Sequence, residues 1–419
     1  MTKKRTYFCI DMKCFYASVE CADRGKNPFD TPLVVADKER GRGALCLAIS
    51  PKMKSLGVKN RCRLFEIPEK IEYIIAKPRM KRYIDCAADI YSMYLDYIDP
   101  KDIHVYSIDE AFIDVTGYSE LEKMGARGFA KFLLNEIGRR EGIPASCGIG
   151  TNLYLAKIAL DITAKRARDG IGYLDESLYR ETLWTHRPIT DFWQIARGTA
   201  NRLARYGIYD MRGIAMAPEE LLYRTFGVNA ELLIDHAWGR ESCTMADIHA
   251  YQSKSHSVSS SQILEHDYDK ETARIVLDEM ALAGCHTLMR RHLVTDHVSL
   301  FIGYSDDRRP PTSVSARMNE RTQVHSVLRR YLLELFDKNA DARYPIRRLG
   351  VGFGDVMDES FEGYDLFTDF EGIKREKHIE RTVLSLKDRF GKNAMLRGTD
   401  LREGATARVR NTLIGGHHE

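Results

Sequence analysis

The segment HVYSIDEAFIDVT, residues 104–116, constrains the fold more than any other. Val105, Ile108, Phe112, Ile113 and Val115 mark buried sheet, yet the adjacent acids Asp109 and Glu110 sit where a hairpin has to turn. Successive side chains of a strand point to opposite faces, so neighbouring acids reach one site only if the backbone turns there. A buried carboxylate without a partner is costly and escapes by neutralisation or by holding a metal ion. A third acid, Asp11, ends another apolar strand, RTYFCIDM (5–12), and Asp114 lies just past the pair. An Asp-Glu pair at a hairpin tip is by itself ordinary turn chemistry; its coincidence with Asp11 and with basic segments nearby gives it weight.

The elements around these acids predict how they meet. After the first strand comes a helix, FYASVECADRG, then an excursion with strands LVVAD and ALCLAIS and a helix PKMKSLG carrying Pro51 in its first turn. A strand EYIIAK leads into an amphipathic helix over 79–98, with Tyr83, Ala87, Ile90, Tyr94 and Tyr97 at helical spacing. The hairpin, a helix over 120–141, the strand PASCGIGT and the helix LYLAKIALDITAKRA follow. The order β-α-β-β-α-β, interrupted after the first helix, is a split βαβ sheet of ferredoxin-like type. In that sheet the first strand lies beside the hairpin, which brings Asp11 to Asp109 and Glu110.

Residues 170–240 read as helix-rich, several helices ending in Gly as a C-cap requires. The stretch 243–262 is polar and Ser-rich, either a tether or, in its second half, an exposed strand. A second α/β unit spans 263–355, with helices at 271–289 and 320–338 and strands HVSLFIGY and IRRLGVGFGD. The tail, 356–419, holds YDLF, one amphipathic helix around 376–390 and a polar end.

At 419 residues the chain exceeds one ordinary domain. No apolar run approaches the roughly 20 residues of a membrane span, and the apolar stretch after the basic N-terminus is too short for a signal peptide. Nine cysteines without a C-x-x-C pair argue against a disulfide framework or zinc ribbon and for reduced thiols in a cytoplasmic protein. Net charge is only +3, but basic residues cluster at 38–43, 52–63, 77–82, 317–330 and 344–350. Basic clusters are usually solvated faces; flanking an acidic site, they suit a polyanion that must be gripped and brought to metal ions. Three carboxylates with no His or Cys are hard oxygen ligands, suited to Mg²⁺ rather than zinc, and such sites serve phosphate chemistry.

CIDMKCFYASVE, YSIDEAFIDVT and GIGTNLYLAKIA together resemble the Y-family DNA polymerases of the UmuC and DinB kind, over about residues 1–355. IRRLGVGF and GATARVRNTLIGGHHE look like the UvrX-like subgroup of Gram-positive bacteria. The resemblance implies an α+β multidomain right hand: a ferredoxin-like palm (1–14 and 80–168), small fingers (15–79), a helical thumb (169–242), a linker (243–253), an α/β little finger (254–355) and a C-terminal tail (356–419). It implies two Mg²⁺ ions, replaceable by Mn²⁺, on Asp11, Asp109, Glu110 and the Met12 carbonyl. Phe15 and Tyr16 would lie at the incoming dNTP, Tyr16 as the gate against a 2′-hydroxyl and Phe15 the more core-like of the two. Lys157 and Lys54 would contact the triphosphate. Lys54 stands where many relatives have Arg and lacks its bidentate fork, and Pro51 stands where many have a contacting Tyr.

Primer-template DNA would be held by Arg197 and Arg202 in the thumb and by Lys254, Ser255, Arg347 and Arg348 in the little finger, without base readout. The family's glycine-rich phosphate turn is altered to Gln194 and Ala196. GYDLF, through Tyr364, Leu366 and Phe367, resembles a sliding-clamp peptide, with Gly363 where the family prefers Gln. The expected activity is low-fidelity, template-directed translesion synthesis in DNA repair and the SOS response, with accessory repair proteins as further partners. Competing readings are a nucleotidyl cyclase, which would not need residues 170–355, and a non-catalytic DNA-binding scaffold recruited to the clamp.

Overall fold

The computed structural model describes residues 5–252, 256–364 and 368–418. The chain forms two compact units, one holding Met1–Gln252 and His417–Glu419, the other Ser253–Gly416.

In the first unit, strand β1 (Tyr7–Met12) runs into helix α1 (Phe15–Ala22) through Cys14, which takes a left-handed conformation at φ 52°. A small sheet follows, built from β2 (Leu33–Val35), β3 (Ala48–Ile49) and, beyond helix α2 (Pro51–Ser55), β4 (Ile74–Ala76). Pro51 occupies the first turn of α2, and the Ser50 hydroxyl accepts from the Met53 N–H. Then come α3 (Met80–Leu95), β5 (Ile103–Val105), β6 (Glu110–Asp114), α4 (Ser119–Glu141), β7 (Ala145–Gly150), α5 (Leu153–Ile158) and β8 (Ile171–Leu174).

The main sheet has the order β5-β6-β1-β7-β8. Its first four strands are the antiparallel split βαβ arrangement that the sequence predicts, with β1 between β6 and β7. The fifth, β8, pairs in parallel with β7, in a stretch read from sequence as the start of a helical region. Its four residues, IGYL, are too short to show a period. Helix α5 lies against β7 because Gly148 and Gly150 carry no Cβ: one at either position would run into the backbone of Ala156. Past Ile158 the chain continues as a π-helical turn, Ala159–Thr163, rather than the long α-helix expected.

Helices α6 (Glu176–Leu183), α7 (Arg197–Ala204), α8 (Met211–Met216), α9 (Glu219–Phe226) and α10 (Asn229–Ala237) share one core around Leu155, Tyr179, Phe192, Leu203 and Leu222. The segment 243–253, expected to be a linker, contains α11 (Met245–Ala250), whose Met245 packs with Tyr7, Cys9 and Phe112. Thr244 and Asp247, two of the polar residues taken for tether, close a capping box at its start.

The second unit is a sheet of order β11-β10-β12-β9, from β9 (Val258–Tyr268), β10 (Leu293–Tyr304), β11 (Thr312–Thr322) and β12 (Ile346–Gly354). Helices α12 (Lys270–Arg290) and α13 (His325–Asn339) pack on it through Leu277, Met280, Leu328 and Phe336. Residues 320–322, assigned from sequence to a helix, belong to β11, where alternation continues to Thr322 before α13 starts. The tail is not a free appendage. Helix α14 (Phe370–Phe390) puts Leu384 into this core and bonds Glu380 to His286, while the Glu279 carboxylate of α12 accepts from the first N–H of α15 (Ala407–Arg410). Sequence periodicity missed this docking because buried charges, not only apolar residues, hold it.

Candidate active site

Strand β5 ends at Val105 and β6 begins at Glu110, so Tyr106–Asp109 is the turn between them. The Glu110 carbonyl closes it, accepting from the N–H of Tyr106 at 2.9 Å and of Ser107 at 3.1 Å. Asp109 therefore stands in the turn and Glu110 opens the strand, which lets adjacent acids escape strict alternation. In the β1–β6 register Asp11 lies directly opposite Glu110, and the Met12 N–H donates to the Asp109 carbonyl at 2.9 Å. Ser107 Oγ donates to Asp109 Oδ1 at 2.7 Å. The structure thus gathers Asp11, Asp109 and Glu110 at one end of the sheet.

Electrostatics report the crowding. The Asp11 carboxyl is pushed up to about 7, first by burial and then by the charges of Asp109 and Glu110, with Lys157 working against them. Lys157, on α5 and only 8% exposed, places Nζ 2.7 Å from Glu110 Oε1 and 3.2 Å from Asp161 Oδ2. Burial opposes its charge, but Cys9, Glu110 and Asp161 outweigh burial and raise its pKa. Cys9 Sγ also donates to Glu110 Oε1, at 3.0 Å. Asp161, one turn beyond Lys157, was not singled out from sequence; its i,i+4 spacing to Lys157 was the available signal.

Among the described residues no three His, Cys, Asp or Glu side chains form a closed metal cage; Glu110 is turned to Lys157 instead. The donor set still fits a hard divalent cation. It is all oxygen, and burial, reinforced by the charges of Asp109 and Glu110, lifts the Asp11 carboxyl to about 7 from its ordinary 3.8, a rise that a bound cation would relieve. Asp11, Asp109 and Glu110, with the Met12 carbonyl at the strand end, are the residues that would hold it.

Phe15 and Tyr16 open α1 beside the acids. Phe15 is 3% exposed and packed as core, so its expected place at the nucleotide is not a surface one. Tyr16 is half-buried, and its phenol is pushed up by burial and then by the Asp109 charge. Its ring stacks on Tyr83, centroids 4.4 Å apart and planes 13° apart. Lys54 is exposed on α2, and its charge counters the rise that burial gives the Cys14 thiol. A cation thus stands at the start of α1, two residues from Met12.

At the altered turn, Gln194 holds φ 67°, the left-handed conformation a glycine would supply, and Ala196 precedes α7. Arg197 is exposed on the first turn of α7; Arg202 lies 4.5 Å over the Phe226 ring and donates to the Thr225 carbonyl. In the second unit, the register shifts beside Arg347 in β12, and a bulge of this kind lets consecutive side chains leave the same face. Arg348 lies 5.2 Å over Phe301, and Arg347 Nη1 is 3.6 Å from Asp267. Exposed Ser259, Ser261, Ser313, Ser315 and Arg317 line the same sheet. Lys254, Ser255, Leu366 and Phe367 lie outside the described residues. Tyr364 is engaged locally: its hydroxyl donates to Glu362 at 2.6 Å and meets Thr322 at 3.0 Å, beside a Gly363–Arg321 bridge.

This site, on a split βαβ sheet followed by a helical cluster and a second α/β unit, belongs to a recognisable class. The chain matches the impB/mucB/samB family over residues 10–161 and that family's C-terminal domain over 255–366. It belongs to this family, the Y-family polymerases of UmuC/DinB type. Among its relatives is UvrX of Bacillus subtilis, named for UV-damage repair, which is 31% identical over 99% of this chain and 98% of its own length. DNA polymerase IV 2 of the same organism is 30% identical over the full length of both. A Y-family polymerase chimera of Dbh and Dpo4 shares the fold, with a TM-score of 0.64 and 20% identity over 84% of this chain and 99% of that one.

Proposed function

We propose that this protein is a DNA-directed DNA polymerase of the translesion class, adding dNTPs to a primer 3′ end with low fidelity and using two Mg²⁺ ions held by Asp11, Asp109 and Glu110. The observation that carries this is the pairing of Asp11 with Glu110 across β1 and β6, with Asp109 in the adjoining turn. Bound divalent cations would supply the charge that favours ionisation of the 3′-hydroxyl and eases departure of pyrophosphate. The protein's own side chains do the rest by position and charge. Lys157, now paired with Glu110 and Asp161, is a buried ammonium beside the reacting phosphates, and Lys54 offers a second cation to the triphosphate. Tyr16 closes the space where a ribose 2′-oxygen would sit.

Fidelity follows from size. The sheet between α1 and α3 has strands of two or three residues. So small a lid cannot enclose a nascent base pair tightly, which costs discrimination and admits damaged templates. The hydroxyl- and arginine-bearing face of the second sheet suits sequence-independent contact with phosphates. Tyr364 and the residues after it would reach a sliding clamp only if the Tyr364 contacts were released. No helix among the described residues is long and apolar enough to cross a membrane.

Primer extension with Mg²⁺ on an undamaged template and on one carrying a pyrimidine dimer tests the reading. Wild type should extend both and Asp109→Ala neither, with DNA binding intact; equal failure of both proteins would favour a non-catalytic scaffold.

A further inference from the structure

Glu20 is a carboxylate with no exposed surface, nine residues along the chain from Asp11. It is not idle. Its Oε1 accepts from Arg79 Nε at 2.8 Å and from the Tyr83 hydroxyl at 2.9 Å, and Oε2 pairs with Arg24. Arg79 also holds Asp23 at 2.6 Å, and Arg82 holds the same carboxylate at 3.0 Å. These bonds tie α1, which carries Glu20 and is capped at its end by Asp23, to the start of α3, which carries Tyr83. A buried carboxylate with three charge-assisted or hydroxyl donors has little freedom, and neither have its donors.

Tyr83 is itself fully buried. Burial, and after it the neighbouring Glu20 charge, push its phenol up, so it stays protonated and remains the donor to Glu20. Its ring is the surface on which Tyr16 stacks. Tyr16 in turn feels the Asp109 charge, so Tyr16 links the Tyr83 platform to the acids. The order is Glu20, Tyr83, Tyr16, acids.

We propose that Glu20, with Arg79, is a positioning residue for sugar selection: it fixes Tyr83 as a rigid backing that stops the Tyr16 ring from yielding to a ribose 2′-hydroxyl. The inference rests on Tyr16 being the sugar gate. Steric exclusion depends on what stands behind the excluding group. A ring that can retreat by a fraction of an ångström excludes little, whereas one pressed on a fixed aromatic face cannot retreat. Glu20 touches no substrate and acts only through the two rings.

The test is the ratio of kcat/KM for dCTP to that for CTP on one primer-template. Tyr16→Ala should lower it most. Tyr83→Phe, which removes only the oxygen bonded to Glu20, and Glu20→Gln should each lower it by about three- to tenfold, as small misplacements at a reacting centre do. The change should come from faster CTP incorporation, with kcat for dCTP near wild type in both variants; the melting temperature should stay near wild type in Tyr83→Phe and fall in Glu20→Gln, which takes the buried partner from Arg79 and Arg24. Tyr83→Phe should have no further effect in a Tyr16→Ala background, because the two act as one unit. A wild-type ratio in Tyr83→Phe and Glu20→Gln while Tyr16→Ala lowers it would overturn the backing role and leave the gate standing. An unchanged ratio in Tyr16→Ala would remove the gate and the inference with it. Should Glu20→Gln fold poorly, Tyr83→Phe decides alone.

Discussion

Lys157 shows how one residue ties stability to chemistry. Its single ammonium pairs with both Glu110 and Asp161 in a site where Asp11 is already lifted to about 7. Removing one partner of a mostly buried pair leaves the other charge uncompensated, a loss of up to roughly 3 kcal/mol. Lys157→Met should therefore lower the melting temperature of the metal-free protein and raise KM for dNTP; an unchanged melting temperature would mean that the pair contributes nothing to the fold. The three acids were legible in sequence because they interrupt apolar strand segments that a split βαβ sheet brings side by side. Lys157 was legible only by resemblance, since a helix lysine is solvated by default. Tyr83 was legible as an apolar position of its helix but its bond to Glu20 was not: FYASVE reads only as the start of a helix, and nothing in it says that Glu20 will meet Arg79 across fifty-nine positions.

At the scale of elements, the approach of α5 to β7 sets where Lys157 stands. A methyl group at Gly148 would meet the Ala156 carbonyl and the Leu160 amide, so Gly148→Ala forces the helix outward. The expected cost is about 1–3 kcal/mol of overpacking, read by thermal melting, together with loss of extension activity; wild-type behaviour in both would show that the helix is free to shift. Sequence suggested a strand and a helix here but not their intimacy, which comes from GIG leaving two gaps on one face. Helix α14 makes the opposite case. Burial would raise the Glu380 carboxyl, but His286 and Arg397 overcome it and hold it at about 2, below its ordinary 4.5. A depressed carboxylate stabilises the fold above its unfolded pKa and loses that contribution as pH falls through its folded value. Glu380→Gln should loosen α14 at pH 7, seen as faster amide exchange in that helix, and the difference from wild type should shrink between pH 4.5 and about 2. A difference that instead grows on acidification would contradict the sign. The sequence offered this helix as amphipathic but left it in a tail, because nothing in its apolar spacing shows that Glu380 is buried against His286 and Arg397.

At the scale of the whole molecule, the two units divide the labour: the first carries the acids, the second a sheet face of serines and arginines. Net charge is nearly balanced, so DNA affinity rests on where the cations are. Replacing Arg347 and Arg348 together by Ala should reduce the slope of log K against log salt by about 2 and weaken all sequences alike; a change in sequence preference would mean base contact. The order of strands in the first sheet was readable from the sequence of apolar runs, but its fifth strand was not, nor was β11 in the second sheet, since short or solvent-facing strands carry little hydrophobic signal. The central claim is that Asp11, Asp109 and Glu110 jointly hold the divalent cations of nucleotidyl transfer. Counting Mn²⁺ bound to protein, primer-template and a non-hydrolysable dNTP by electron paramagnetic resonance tests it most directly. Wild type should bind two ions and Asp11→Asn fewer, with loss of extension; the same number bound at the same affinity in both proteins would contradict it.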